Sequence, residues 1–224
     1  MKKVFFLVNK LKEFNFLEFI NKYLSDVSVC LGESLPEHTE DYDLIILWNY
    51  RKIIPDISYK KNIILFHSSD LPEGKGWAPI YNSISRGKEF YTISGIFASD
   101  RVDAGNVIVK ARFRIKDNYT AEYIRKWDNE ITIMLIKEIL YLIENKELKG
   151  IEQSGDETFY PRRFPKDNEI KIDEQFISII NHLRACEENH PAFFMYNDTK
   201  YIVHIRPEIL PAFPSDLEIL FFDS

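Results

Sequence analysis

Cysteine is scarce: the 224 residues hold two, Cys30 and Cys186, far apart and in no metal-ligand spacing. A disulfide framework and a cysteine-built metal site are both excluded, and two reduced thiols in a reducing compartment are expected. Positive charge is also short, with 29 Lys and Arg against 35 Asp and Glu and a net charge of −6. Proteins that hold nucleic acid through its phosphates need a basic face, and none is visible along this chain. Long apolar runs are missing too, none reaching the roughly 18 residues of a membrane span. The opening MKKVFFLVNKLKEF sets a basic pair before an apolar run. That run is short, Lys10 and Lys12 follow it at once, and no small-residue cleavage site comes after, so it reads as a first buried strand rather than a leader. A cytoplasmic protein without membrane or nucleic-acid partners is the expectation.

What the chain does have is apolar bulk, 45% of residues, with 17 Phe and 12 Tyr, enough to fill a sizeable core. Val4–Val8 is a continuous apolar strand of the type buried on both faces in a parallel sheet. Phe16, Ile20, Tyr23 and Leu24 recur at helical spacing, followed by a short strand at Val27–Leu31. DLIILW (43–48) and NIILFH (62–67) are further strands, each ending in polar residues. After a helix over 78–86, FYTISGIFA (90–98) and NVIVKARFRI (106–115) read as strands. The second alternates Val107, Val109, Ala111 and Phe113 with Lys110, Arg112 and Arg114, so one of its faces is wet. Ile124, Trp127, Ile131, Met134, Leu135, Ile139 and Leu142 form the core stripe of a helix capped by Thr120 and ending near Asn145. Gly150–Gly155 reads as a linker. A helix over 173–186 and a strand over 200–205 come next. The expected fold is α/β: a Rossmann-like, doubly wound, mainly parallel sheet over residues 1–150, with a small α+β extension over 151–224 packed on it. In such sheets chemistry gathers beyond the carboxyl ends of the strands.

Two places carry candidate chemistry. FHSSDLPEGKGWAP (66–79) puts His67 just after a buried strand, in a loop with Pro72, Gly74 and Gly76. That setting suits general acid–base work, because an imidazole with an ordinary pKa of about 6.5 exchanges protons near neutral pH. A structural histidine fits the same place. DRVDAGNV (100–107) is a tight acidic turn, in which Asp100 and Asp103 are ordinary turn residues.

Together these segments, LFHSSDLPEGKGWAPIYNSISRG and VDAGNVI, resemble the folate-dependent formyltransferases. That superfamily includes the methionyl-tRNA, glycinamide ribonucleotide and sugar N-formyltransferases. Its signature is Asn-x-His-x-Ser-Leu-Leu-Pro, a Gly-containing loop, and a later Asp-x-Gly turn. His67, Ser69, Leu71, Pro72, Gly76 and Pro79 fall on the first part, Asp103 and Gly105 on the turn. FYPRRFPKDNEIKID (159–173) and INHLRACEENHPAFFMYNDTKYIVHI (180–205) resemble the region C-terminal to the catalytic core in the sugar-nucleotide branch.

The resemblance implies an enzyme that moves a formyl group from N10-formyltetrahydrofolate to the amine of an amino sugar, nucleotide-linked, in surface-polysaccharide synthesis. It implies His67 and Asp103 as catalytic pair. Trp48, Tyr50, Ser69, Leu71, Gly76 and Val102 would line the folate, and Trp77, Tyr81, Arg162 and Arg163 would face the acceptor. No metal is implied, and relatives point to a homodimer. Another small amine, such as glycinamide ribonucleotide, is the alternative acceptor. One departure stands out: Leu65 occupies the place of the family asparagine that donates to the formyl oxygen. Asn49 and Asn82 are the nearby candidates to replace it. A folate-binding module that has lost catalysis is the reading from a different class.

Overall fold

The computed structural model describes all residues except 14–16, 58, 59, 61, 223 and 224. Phe16 lies outside the described residues. The chain order is β1 (Lys2–Leu7), α1 (Leu17–Tyr23), β2 (Val27–Gly32), β3 (Leu44–Leu47), β4 (Ile63–His67), β5 (Lys75–Gly76), α2 (Pro79–Ser85), β6 (Phe90–Phe97), β7 (Val107–Arg114) and α3 (Ala121–Asn145). It continues through β8 (Phe159–Tyr160), α4 (Phe176–Ala185), β9 (Ala192–Tyr196), β10 (Thr199–Val203) and β11 (Glu218–Phe221). Seven strands form one sheet in the order β11-β7-β6-β4-β3-β1-β2.

The apolar runs read as buried strands form the parallel half. β1 pairs with β2 and β3, and β3 with β4, all parallel. The other half is antiparallel: β4 with β6, β6 with β7, β7 with β11. The sheet is therefore mixed rather than mainly parallel. The short turn 98–106 makes β7 antiparallel to β6, because it is too brief for the crossover that a parallel neighbour requires.

Alternation along β1 separates two cores. Val4, Phe6 and Val8 join Ile20 of α1, Leu24 just after it, Ile80 and Ile84 of α2, and the buried stripe of α3. Phe5 and Leu7 face the opposite side with Ile45, Ile57 and Ile63, covered by the loop residues Leu35, Tyr42 and Ile54. The crossovers from β2 to β3 and from β3 to β4 contain no α-helix among the described residues, so loops cover that face where a doubly wound fold would place helices. Each fully buried aliphatic side chain contributes about 1.5–3 kcal/mol.

In α3, Ile124, Trp127, Ile131, Leu135 and Ile139 are buried, but Met134 is 40% exposed and leaves the expected stripe. Thr120 sits at the N-cap without a side-chain capping bond. On β7, Val107, Val109, Ala111 and Phe113 are buried while Arg112 and Arg114 are exposed, the expected wet face. No helix of the described residues is long and apolar enough to cross a membrane.

Candidate active site

The site forms where β4 stops. His67, its last residue, is 8% exposed and hydrogen-bonded through Nε2 to the Gly74 carbonyl at 2.8 Å. A carbonyl only accepts, so Nε2 carries a proton and Nδ1 is left with the lone pair. Nδ1 lies 3.5 Å from Oδ2 of Asp103. The same carboxylate oxygen accepts the Gly76 N–H at 2.9 Å. The lone histidine and the turn aspartate of the sequence thus meet, joined by the loop 74–76.

The turn holding Asp103 depends on local geometry. Asp103 has φ 49, a left-handed conformation that Asp tolerates better than most residues. A Cβ on Gly105 would lie 1.7 Å from the Phe97 carbonyl oxygen, so only glycine lets the turn close against β6. Gly76, at φ +93, runs so near Tyr160 that a Cβ would come within 2.7 Å of its carbonyl. Behind β4, the Ser94 hydroxyl donates to the Ser69 carbonyl at 2.7 Å and accepts the Leu71 N–H at 3.4 Å. Lys110 holds the Leu71 carbonyl at 2.8 Å and pairs with Asp70.

Of the residues expected around a folate, Leu71 is buried with Ile96 and Val107, and Leu65 packs on the same cluster. Ser69 is buried, and its hydroxyl has no hydrogen-bond partner. Trp48 packs edge-on against Phe6, with ring centroids 5.7 Å apart, and Tyr50 lies against the loop-covered core. Val102 is 48% exposed on the acidic turn. The β3 exit is clipped by Asn9, whose amide donates to the Asn49 carbonyl and whose oxygen accepts the Arg51 N–H.

The residues expected to face the acceptor separate into two groups. Trp77 is exposed, with the Arg162 and Arg51 guanidinium carbons 5.1 and 5.9 Å from its ring centre. Among the described residues neither arginine is ion-paired. Arg163 instead stacks on Tyr81 and bonds Asn168 and the Asp167 carbonyl. Tyr81 donates to His182 Nδ1 at 2.7 Å, and His182 Nε2 donates to the Asn168 carbonyl. These two residues hold the segment before α4 against α2. Burial lowers the His182 pKa, and burial pushes the neighbouring Cys186 thiol up to about 11. Asn82 gives both amide hydrogens to the Trp77 and Ala78 carbonyls, leaving none for a ligand, and Asn49 is exposed.

Sequence reasoning missed one buried carboxylate. Asp128 on α3 accepts from the Ser68 hydroxyl at 2.9 Å and from the Tyr91 hydroxyl at 2.7 Å. Burial raises its pKa, against the opposing pull of those two bonds and of Arg125 and His67. Its position 60 residues after Ser68 gave no local signal. Among the described residues no group of three or more His, Cys, Asp and Glu could hold a metal.

Residues 33–135 match the formyl transferase family model. A methionyl-tRNA formyltransferase of Pelagibacter ubique is 31% identical over 192 residues, covering 80% of this chain and 61% of the relative. The chain thus spans less than two thirds of that relative's length. In structure it is similar to HypX from Aquifex aeolicus in complex with tetrahydrofolic acid, with TM-score 0.72 and 17% identity, over 92% of this chain and 37% of that one. It is also similar to a sugar N-formyltransferase from a Shewanella species, with TM-score 0.65 and 14% identity, over 94% and 100% of the two chains. Residues 33–135 and the curated relative make this chain similar to the formyl transferase family, and the solved structures share its fold.

Proposed function

We propose that this chain transfers a formyl group from N10-formyltetrahydrofolate to the amine of a sugar carried on a nucleotide. The observation that carries the reading is the placement of His67, at the end of a central strand, between the Gly74 carbonyl and the Asp103 carboxylate. Both residues fall inside the matched stretch. Nδ1 accepts the proton of the attacking amine. The resulting imidazolium then has an acceptor at each nitrogen, with Asp103 fixed by the Gly76 N–H. General base catalysis of this type contributes about 10²–10⁴-fold.

The residues present fit a folate. Leu65, Leu71, Ile96 and Val107 form an apolar wall, and the orphaned Ser69 hydroxyl is a polar group left for a ligand. Bound there, the donor supplies an activated formyl carbon. For the acceptor, an exposed indole flanked by two unpaired guanidiniums suits a base and phosphates, which arginine forks recognise. The net charge of −6 weighs against a tRNA acceptor.

The test is tetrahydrofolate release from N10-formyltetrahydrofolate with a panel of UDP-, dTDP- and GDP-linked amino sugars, glycinamide ribonucleotide and methionyl-tRNA. Turnover on a nucleotide sugar is expected; turnover confined to tRNA or to glycinamide ribonucleotide would overturn the acceptor assignment.

A second reading, a folate-binding module without catalysis, is favoured by Leu65 alone, an apolar side chain packed on the Leu71, Ile96 and Val107 cluster that has no hydrogen to donate. Loss of one oxyanion donor costs about 10²–10³ in rate. Under the catalytic reading, Leu65→Asn gains little, because an unpaired buried amide costs about 1–3 kcal/mol. Under the second reading, wild type is inert across the whole panel and Leu65→Asn creates activity.

A further inference from the structure

The stretch after α3 has the composition of a linker, yet it touches Asp103 and the loop whose Gly74 carbonyl meets His67. Ile151 exchanges two backbone hydrogen bonds with Val107, at 2.8 and 2.9 Å. Two residues on, Gln153 donates both hydrogens of its amide, one to the Asp103 carbonyl and one to the Gly105 carbonyl, each at 2.8 Å. Asp103 is thereby held from behind, on its backbone, while its carboxylate faces His67.

Further along, Thr158 takes up the other side. Its hydroxyl oxygen accepts the Gly74 N–H at 2.8 Å and its carbonyl accepts the Lys75 N–H at 2.9 Å. The Lys75 N–H and the Gly74 C=O belong to one peptide unit, and in a trans unit they point in opposite directions. That single unit is therefore held by Thr158 on one side and presents its oxygen to His67 Nε2 on the other. Tyr160 continues the ladder by accepting the Trp77 N–H at 3.1 Å. Buried Lys75, 4% exposed, is paired with Glu157.

We infer that residues 153–160 are a positioning strap for the His67–Asp103 pair, with Gln153 and Thr158 as its positioning residues. This rests on the assignment of that pair as catalytic. The strap lies after the end of the family-matched stretch at residue 135, so the geometry of the site is completed by chain outside it. A purely packing role would need no such bonding. Gln153 has both donor hydrogens committed to the turn that carries Asp103, and Thr158 meets the loop that carries the Gly74 carbonyl with two acceptors.

Four variants separate the outcomes. Gln153→Met keeps length and removes both donors. Thr158→Val keeps shape and removes the acceptor for Gly74 N–H, while Thr158→Ser restores it. His67→Asn tests the underlying pair. Each is measured for kcat and KM for N10-formyltetrahydrofolate with the most active amine of the panel. The His67 ring nitrogens are followed by NMR on protein labelled with ¹⁵N-histidine and assigned with His67→Asn. The expected result is a loss of about ten- to a hundredfold in kcat for Gln153→Met and Thr158→Val, the scale of a misplaced catalytic group. KM stays within about twofold, the His67 ring signals move, and Thr158→Ser lies close to wild type. If His67→Asn keeps its activity, the catalytic pair is wrong and the strap's role falls with it. If His67→Asn is inactive while both strap variants match wild type in kcat and in the ring signals, the pair stands and the strap inference is overturned. A variant that does not fold is judged on its partner position, where an unchanged kcat also counts against the inference.

Discussion

In the proposed reaction His67 and Asp103 divide one task between a proton and a charge, and substitutions separate them. His67→Asn removes the lone pair that takes the amine proton. Transfer is expected to fall at least about a hundredfold, with thermal stability near wild type; single-turnover rates beside melting curves check this, and near-normal transfer would end the assignment. Asp103→Asn keeps an oxygen for the Gly76 N–H but not the charge opposite the imidazolium. Its rate should drop strongly while tetrahydrofolate binding, measured by titration, stays unchanged. Asp128 differs, because its effect is on stability. Burial raises its pKa in the folded state, so the folded chain holds this proton more tightly than the unfolded one. Its contribution is complete below the unfolded carboxylate value of about 3.9 and is lost as pH rises through the folded value. Asp128→Asn keeps an acceptor for Ser68 and Tyr91 and cannot ionise. Its melting temperature relative to wild type should rise from pH 4 to pH 8; a relative fall over that range contradicts the assignment.

At the scale of elements, the turn 98–106 is the most constrained piece. An alanine at Gly105 would put a methyl carbon 1.7 Å from the Phe97 carbonyl oxygen. Something must shift, and Phe97 is backbone of β6, so Gly105→Ala should cost about 1–3 kcal/mol in urea unfolding and displace Asp103, with activity lost beyond the loss of fold. The sequence showed the strands with strong patterns, such as Val4–Val8 and the alternation from Val107 to Arg114, and the pairing of His67 with Asp103 through the two segments that resemble one family. It did not show β5 and β8. Each is two residues long, too short for any period, and their pairing joins Lys75 to Phe159 across the whole of α3. Gln153 and Thr158 were invisible for the same reason: their partners lie 50 and 84 residues away, and a run of Gly, Ser, Gln and Asp has the composition of a loop. Met134 misled because it shares helical spacing with true core residues yet lies at the stripe's edge.

Across the whole molecule, the chain after residue 150 is woven into the part before it. β11 is an outer strand of the main sheet, paired with β7. Arg184 reaches the carbonyls of Lys116 and Tyr119, and Phe213 packs edge-on against Trp127. A chain cut after residue 150 should therefore lose cooperative unfolding and expose β7, although the first 150 residues carry His67 and Asp103. Circular-dichroism melts of that fragment and of the full chain check this, and a fragment that melts as sharply as the full chain contradicts it. The same pairing has a meaning in time. Arg112 on β7 meets Glu218 on β11, 106 residues further along. During synthesis β7 emerges from the ribosome long before the strand that covers it, and its free amides and carbonyls, with Val107, Val109 and Phe113 alongside, form the surface that chaperones bind and neighbouring nascent chains join. The safety of this protein while it is being made then depends on how fast the ribosome crosses those residues.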